Sequence, residues 1–182
     1  MKILLFIFLL IFIKFFNLSN KKIAKPIFAI AYFNDDQIKG TVEFIQKHHR
    51  IKIILNLTGL KSNSNHGFHV HEAGDLTDKC TSMCAHFNPF NNTHGCPGSS
   101  NRHVGDLGNI KTDSKGNAKY VFYDDVISLK GKTNIIGRGL IIHADPDDCG
   151  KTNHPDSLTT GNSGKRIACA IIGYSKKNFV KN

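Results

Sequence analysis

From about Lys25 onward, apolar and polar positions alternate with a period of two, not the 3.6 of a helix. Thr41-Val42-Glu43-Phe44-Ile45 and Ile51-Lys52-Ile53-Ile54-Leu55-Asn56-Leu57 partly alternate, and Phe68 and Val70 alternate with His69 and His71. Ile27 to Phe33, Ala118 to Tyr123, Ile135 to Ile142 and Ile167 to Tyr174 are further short β-prone runs. Turn formers separate them, such as Asn34-Asp35-Asp36. Asp113-Ser114-Lys115-Gly116-Asn117, flanked by β-prone runs, reads as a hairpin turn. No segment carries a long amphipathic helical stripe, so the pattern predicts an all-β sandwich or barrel.

Two stretches do not read as strands. Glu72 to His103 and Asp145 to Lys165 are rich in Gly, Asn, Asp, Ser and Pro. Loops longer than about 12–15 residues in a compact domain are usually functional or disordered. The first holds three of the ten histidines and three of the five cysteines, which favours ordered functional loops laid over a β scaffold.

The N-terminus changes the picture of where the chain goes. Met1-Lys2 precedes an unbroken apolar run from Ile3 to Ile13, then Lys14. A positive start followed by an apolar stretch of this length is the pattern of a secretory signal peptide, expected to end near Ser19. The run is shorter than the roughly 20 residues a membrane-spanning helix needs, so stable membrane insertion is expected only if the leader is retained. The remaining 20–182 suffices for one domain. Asn56-Leu57-Thr58 and Asn91-Asn92-Thr93 are candidate N-glycosylation sites at Asn56 and Asn91. Cys80, Cys84, Cys96, Cys149 and Cys169 are expected to pair in an oxidising compartment, leaving one over. The formal charge of +10 includes Lys2 and Lys14 of the leader, leaving +8. A charge of this sign favours anionic partners such as anionic substrates, sulphated glycans or nucleic acid, and otherwise serves solubility.

The chemistry concentrates in histidines. His69 and His71 lie one residue apart in a β-type segment, where side chains at i and i+2 share a face and reach one metal. Alone, the pair also fits two solvent-facing histidines. His86, His94 and His103 follow on the long loop, then Asp106, and His143 ends a later apolar run. His86, His94, His103 and Asp106 make a tetrahedral three-nitrogen, one-oxygen set suited to zinc. His69, His71 and His143 make an all-imidazole set suited to copper as well as zinc. A flexible loop does not preform a site, so metal binding is expected to order it.

At this point the chain resembles a known family. Gly67-Phe68-His69-Val70-His71-Glu72-Ala73-Gly74-Asp75 is similar to the copper-binding signature of copper/zinc superoxide dismutases. The resemblance continues through Cys80-Thr81-Ser82, His86-Phe87-Asn88-Pro89, His94-Gly95 and Arg102-His103-Val104-Gly105-Asp106-Leu107-Gly108-Asn109. It resumes at Ile136-Gly137-Arg138, His143, Asp147-Asp148 and Gly161 to Cys169, so that it spans about Lys25 to Tyr174.

The resemblance implies an eight-stranded Greek-key β-barrel with two long loops, a metal loop and an electrostatic loop. It also implies a secreted enzyme that converts superoxide to dioxygen and hydrogen peroxide, with one copper and one zinc per subunit. By similarity, His69, His71, His86 and His143 ligate copper, and His86, His94, His103 and Asp106 ligate zinc, with His86 bridging the two. Arg166 matches the arginine that orients superoxide beside the copper, which completes the implied catalytic set. Asp147 matches a carboxylate linking a copper-side and a zinc-side histidine, and Cys80 and Cys169 match an intrasubunit disulfide. A homodimer through barrel surfaces is expected, and nucleic acid is not among the expected partners.

The chain departs from the family pattern at Pro155 and Thr159, where many members carry a glutamate and a lysine, and at Cys84, Cys96 and Cys149. Cys96 and Cys149 both neighbour expected site residues, so a second disulfide between them is the preferred one of three possible pairings. Two other function classes compete: a metal-binding module on the same scaffold, and a matrix-binding protein. The second would use Lys21, Lys22 and Lys25 at one end and Lys176, Lys177 and Lys181 at the other to hold sulphated glycans. The complete donor set with Arg166 favours the enzyme.

Overall fold

The computed structural model describes residues 25–180; the expected leader, Lys21, Lys22 and Lys181 lie outside the described residues. Eight strands carry the fold: β1 (Ile27–Asn34), β2 (Lys39–Lys47), β3 (Arg50–Thr58), β4 (Asn65–His71), β5 (Asp106–Lys111), β6 (Val121–Asp124), β7 (Gly139–His143) and β8 (Arg166–Tyr174). Every pairing is antiparallel, in the order β5-β4-β7-β8-β1-β2-β3-β6, which curls into a nearly closed barrel. Strands β1 to β3 form a meander, while β3 pairs with β6 and β4 with β7, the crossed connections of a Greek key.

The period-two pattern explains the barrel interior. In β3, Ile51, Ile53, Leu55 and Leu57 are buried while the residues between them face outward or partly outward. Val42 and Phe44 of β2 lie opposite Leu55 and Ile53, the cross-strand apolar pairing that stabilises a sheet. Phe33, Phe44 and Phe68 are fully buried with Ile135, Leu140 and Ile142 in the same core.

Three expectations change. The apolar run Ile135 to Ile142 does not form one strand: Gly137 takes φ 81° and Arg138 N–H returns to the Ile135 carbonyl, so β7 starts only at Gly139. The run from Ala118 enters β6 only at Val121, Ala118 making a single bridge to Leu57. The Asp113–Asn117 segment does turn, with the Asp113 carboxylate accepting the amides of Lys115 and Asn117. It joins β5 and β6, however, which are the two edge strands and do not pair as a hairpin.

Strand β5 is not among the β-prone runs of the sequence, and its Asp106, Gly108 and Asn109 are residue types depleted in strands. Pairing against β4 decides its conformation, with a bulge between Gly67 and His69. The two long loops follow β4 and β7 and so leave from opposite ends of this antiparallel pair. The first contains a 3-10 turn at Thr81–Met83 and the second a short helix, α1 (Ser157–Thr160). Cys80 is joined to Cys169 of β8, and Cys96 of the first loop to Cys149 of the second.

Candidate metal centre

The neighbouring strands β4 and β7 present His69, His71 and His143, and an isolated bridge sets His86 of the first loop opposite His71. The two strand histidines are not solvent-facing: the loops cover that face and leave His69 and His71 at 0% and 1% exposure. One nitrogen from each of His69, His71, His86 and His143 lies within 4.8 Å of the others.

The second nitrogen of each ring is already engaged. His69 Nε2 lies 2.9 Å from Asp147 Oδ2, His71 Nδ1 2.9 Å from the Cys84 carbonyl, and His143 Nδ1 3.1 Å from the Gly164 carbonyl. Carbonyl and carboxylate oxygens only accept, so these three nitrogens donate and carry the protons. The opposite nitrogens, His69 Nδ1, His71 Nε2 and His143 Nε2, then present bare lone pairs, and together with His86 Nε2 they are buried without a partner. Four orphaned buried acceptors converging on one point carry a large desolvation cost unless a cation fills it.

A second cluster lies on the other side of the His86 ring. Its Nδ1 is 2.8 Å from Asp106 Oδ1, which is also 3.1 Å from His103 Nδ1, while His94 Nδ1 lies 3.0 Å from Asp106 Oδ2. His94 Nε2 faces Asp147 Oδ1 at 2.8 Å. Once His94 donates there, its Nδ1 lone pair confronts a carboxylate oxygen, which calls for a positive charge between them. The donor set fits a divalent ion with nitrogen and oxygen ligands. His86 belongs to both clusters, one nitrogen in each.

Electrostatics keep the groups in metal-binding form. Burial, then the neighbouring His86, lowers His69 to about 3 and His71 to about 2. Burial also lowers His143 to about 4 and pushes His86 down against the pull of Asp106. Burial opposes ionisation of Asp106 and Asp147, but hydrogen bonds from the surrounding histidines outweigh it and hold both well below the usual carboxylate range. His94 behaves oppositely: burial lowers it, and the bonds to Asp106 and Asp147 outweigh that, raising it to about 9.

Arg166 opens the site to solvent. It lines a channel with His71, His86, His143, Thr159 and Thr160. Its guanidinium donates to the carbonyls of Cys80 at 2.7 Å and Cys84 at 2.5 Å. The Cys84 carbonyl therefore positions both His71 and Arg166. Cys84 itself is exposed and is the free cysteine among the described residues, with φ 63° and ψ −148°. Asn56 and Asn91 are exposed.

Some contributors were not assigned a role from the sequence. Asn109 accepts the Asp147 amide at 2.7 Å and donates to the Asp147 carbonyl at 2.8 Å, bracketing that residue. His66 holds the His143 carbonyl through Nδ1 at 2.8 Å. Arg102 donates to the Asp106 carbonyl at 2.5 Å and to buried Asp124 Oδ2 at 2.6 Å. Asn109 and Arg102 belong to the Arg102–Asn109 segment that resembles the family, but only the fold shows what they touch.

Comparison with known proteins agrees with this geometry. Residues 38–172 match the family model for copper/zinc superoxide dismutase. The chain is 56% identical over 178 residues to a Cu-Zn superoxide dismutase of Paramecium bursaria Chlorella virus 1, covering 97% of this chain and 95% of that protein. It is 48% identical over 156 residues to an extracellular Cu-Zn superoxide dismutase of Drosophila melanogaster, covering 81% and 86%. The crystal structure of the clock protein EA4 superposes with a TM-score of 0.80 at 44% identity, covering 84% of this chain and 97% of that one. The chain belongs to the copper/zinc superoxide dismutases and is an enzyme that dismutes superoxide with one copper and one zinc per subunit.

Proposed function

We propose that His69, His71, His86 and His143 hold the copper and that His86, His94, His103 and Asp106 hold the zinc. The four buried, unpartnered nitrogens, three of them on histidines that line the channel, are the observation that carries this reading. When bound, copper supplies one-electron redox chemistry and zinc a fixed positive charge without redox chemistry. The reaction converts two superoxide anions and two protons to dioxygen and hydrogen peroxide. Arg166, always charged and anchored by the carbonyls of Cys80, Thr81 and Cys84, draws the anion in and orients it. His86 Nε2 is the atom that takes up and returns a proton, its Nδ1 being committed to the zinc side. Asp147 fixes the tautomers of His69 and His94 by accepting from both. Metal analysis tests the assignment. The wild type should hold one copper and one zinc, His143→Ala should lose copper and keep zinc, and Asp106→Ala should lose zinc first. Equal loss of both metals in both variants would refute it.

The chain is proposed to act outside the cell after removal of residues 1–19, leaving 20–182 as the enzyme. The leader pattern and the five cysteines support this, and the Drosophila relative is named extracellular. Asn56 and Asn91 are exposed and open to glycosylation. A homodimer is supported by exposed Tyr32, Leu76 and Ile171 beside the Cys80–Cys169 bond. Sedimentation of the wild type beside Tyr32→Lys distinguishes dimer from monomer. Retention on a heparin column tests whether the basic surface holds sulphated glycans.

A further inference from the structure

We propose that the Cys96–Cys149 disulfide is a clamp that positions the Asp147 carboxylate between the two histidine clusters, so that the zinc-side donors stay arranged with or without a metal. Each half-cystine sits two residues beyond a member of this network: Cys96 after His94, Cys149 after Asp147. The bond joins the two long loops across 53 positions of sequence. Cys149 N–H donates to Asp147 Oδ1 at 2.7 Å, and Cys96 Sγ lies 3.8 Å from Asp147 Oδ2. The same two carboxylate oxygens accept from His94 and His69. Gly95, beside Cys96, donates its amide to Asp106 Oδ2 at 3.1 Å. The disulfide therefore touches Asp147 from both loops and reaches the carboxylate of the zinc-side set through one peptide.

The other crosslink does different work. Cys80–Cys169 ties the first loop to β8 beside Arg166, on the channel side, and does not reach the second loop. Among the described residues Cys96–Cys149 is the only covalent link between the two loops, which also share hydrogen bonds from the His94 amide to the Leu158 carbonyl and from the His94 ring to Asp147. A site on unrestrained loops pays the cost of ordering them when the metal binds. Crosslinking removes much of that freedom beforehand, and a displaced loop would otherwise carry Asp147 away from both histidines. Cys96 and Cys149 are thus positioning residues that act through Asp147.

The inference rests on the zinc assignment above, and zinc release from the metal-loaded chain into a chelator tests it. The Cys96→Ser/Cys149→Ser variant should release zinc about tenfold faster or more, the size expected for loss of an outer-shell support. In an Asp147→Asn background the same pair of changes should accelerate release by less than about twofold, because coupled residues are non-additive. Unchanged release in the serine variant, or the same acceleration in both backgrounds, would overturn the clamp. A second measurement needs neither a variant nor a metal. In the metal-free wild type, the Gly95 and Asp147 amides should stay protected from hydrogen exchange, and unprotected exchange at both would overturn it. A wild type that takes up no zinc would instead refute the metal assignment, while the exchange readout still judges the clamp.

Discussion

Asp147→Asn isolates one oxygen in the network. The carboxylate accepts from His69 Nε2 at 2.9 Å through Oδ2 and from His94 Nε2 at 2.8 Å through Oδ1, with the Cys149 amide also on Oδ1 at 2.7 Å. An asparagine can keep only one acceptor. The better placement leaves its oxygen toward His94 and Cys149 and turns its NH2 toward His69, donor against donor. One hydrogen bond to a charged group is lost, worth about 1.5–3 kcal/mol. The remaining bonds lose the full negative charge that holds His94 in place. If that loss is transmitted to the metal-loaded state, it converts to about 10- to 150-fold weaker retention of metal at 1.4 kcal/mol per tenfold. Competition with a chelator at fixed pH reads this directly, with far-ultraviolet dichroism confirming the barrel. Retention within about threefold of wild type would mean that Asp147 does not orient these rings, and the reasoning from its two hydrogen bonds would fail.

Other consequences follow from the same contacts. Arg166→Ala should keep both metals but lower kcat/KM about tenfold or more, with a weaker salt dependence than wild type, because a fixed charge at the channel is gone; stopped-flow decay of superoxide across ionic strength checks it. In the metal-free chain, His69, His71 and His143 are lowered when folded, to about 3, 2 and 4, so stability falls as pH drops below about 6.5. His94 is raised to about 9, so its contribution is full below about 6.5 and lost as pH rises through 9. Thermal melts of that form should peak near pH 6–7, and a flat profile from pH 4 to 9 would refute the shifts. Cys84→Gly should stabilise the fold by about 1 kcal/mol, because φ 63° and ψ −148° is a region that glycine occupies without strain. That raises the melting midpoint by roughly 2–4 °C for a domain of this size, and a drop would show that the thiol packs usefully.

Much of this molecule is legible in its chain because its signals are local. The alternation in Ile51 to Leu57 sets one face of β3 in the core. The His-x-His of β4 places two rings on one side whatever surrounds them. What escaped depends on partners far away in sequence. β5 takes its conformation from β4, although its Asp106, Gly108 and Asn109 are residue types depleted in strands. Gly137 breaks an apolar run whose hydrophobicity alone suggests a continuous strand. The roles of Asn109 and His66 rest on hydrogen bonds to residues 38 and 77 positions away. The Cys96–Cys149 pairing, preferred among three on the nearness of site residues, is formed in the structure and needed the fold to show its contact with Asp147.

The account stands or falls on a redox metal held at His69, His71, His86 and His143 behind Arg166. The most direct measurement is the rate of superoxide decay with purified chain carrying copper and zinc, set beside His143→Ala prepared in the same way. The wild type should approach the diffusional range of about 10⁸–10⁹ M⁻¹s⁻¹, and the variant should lose that activity while remaining folded. A folded wild type with both metals bound that consumes superoxide no faster than the variant would contradict the account.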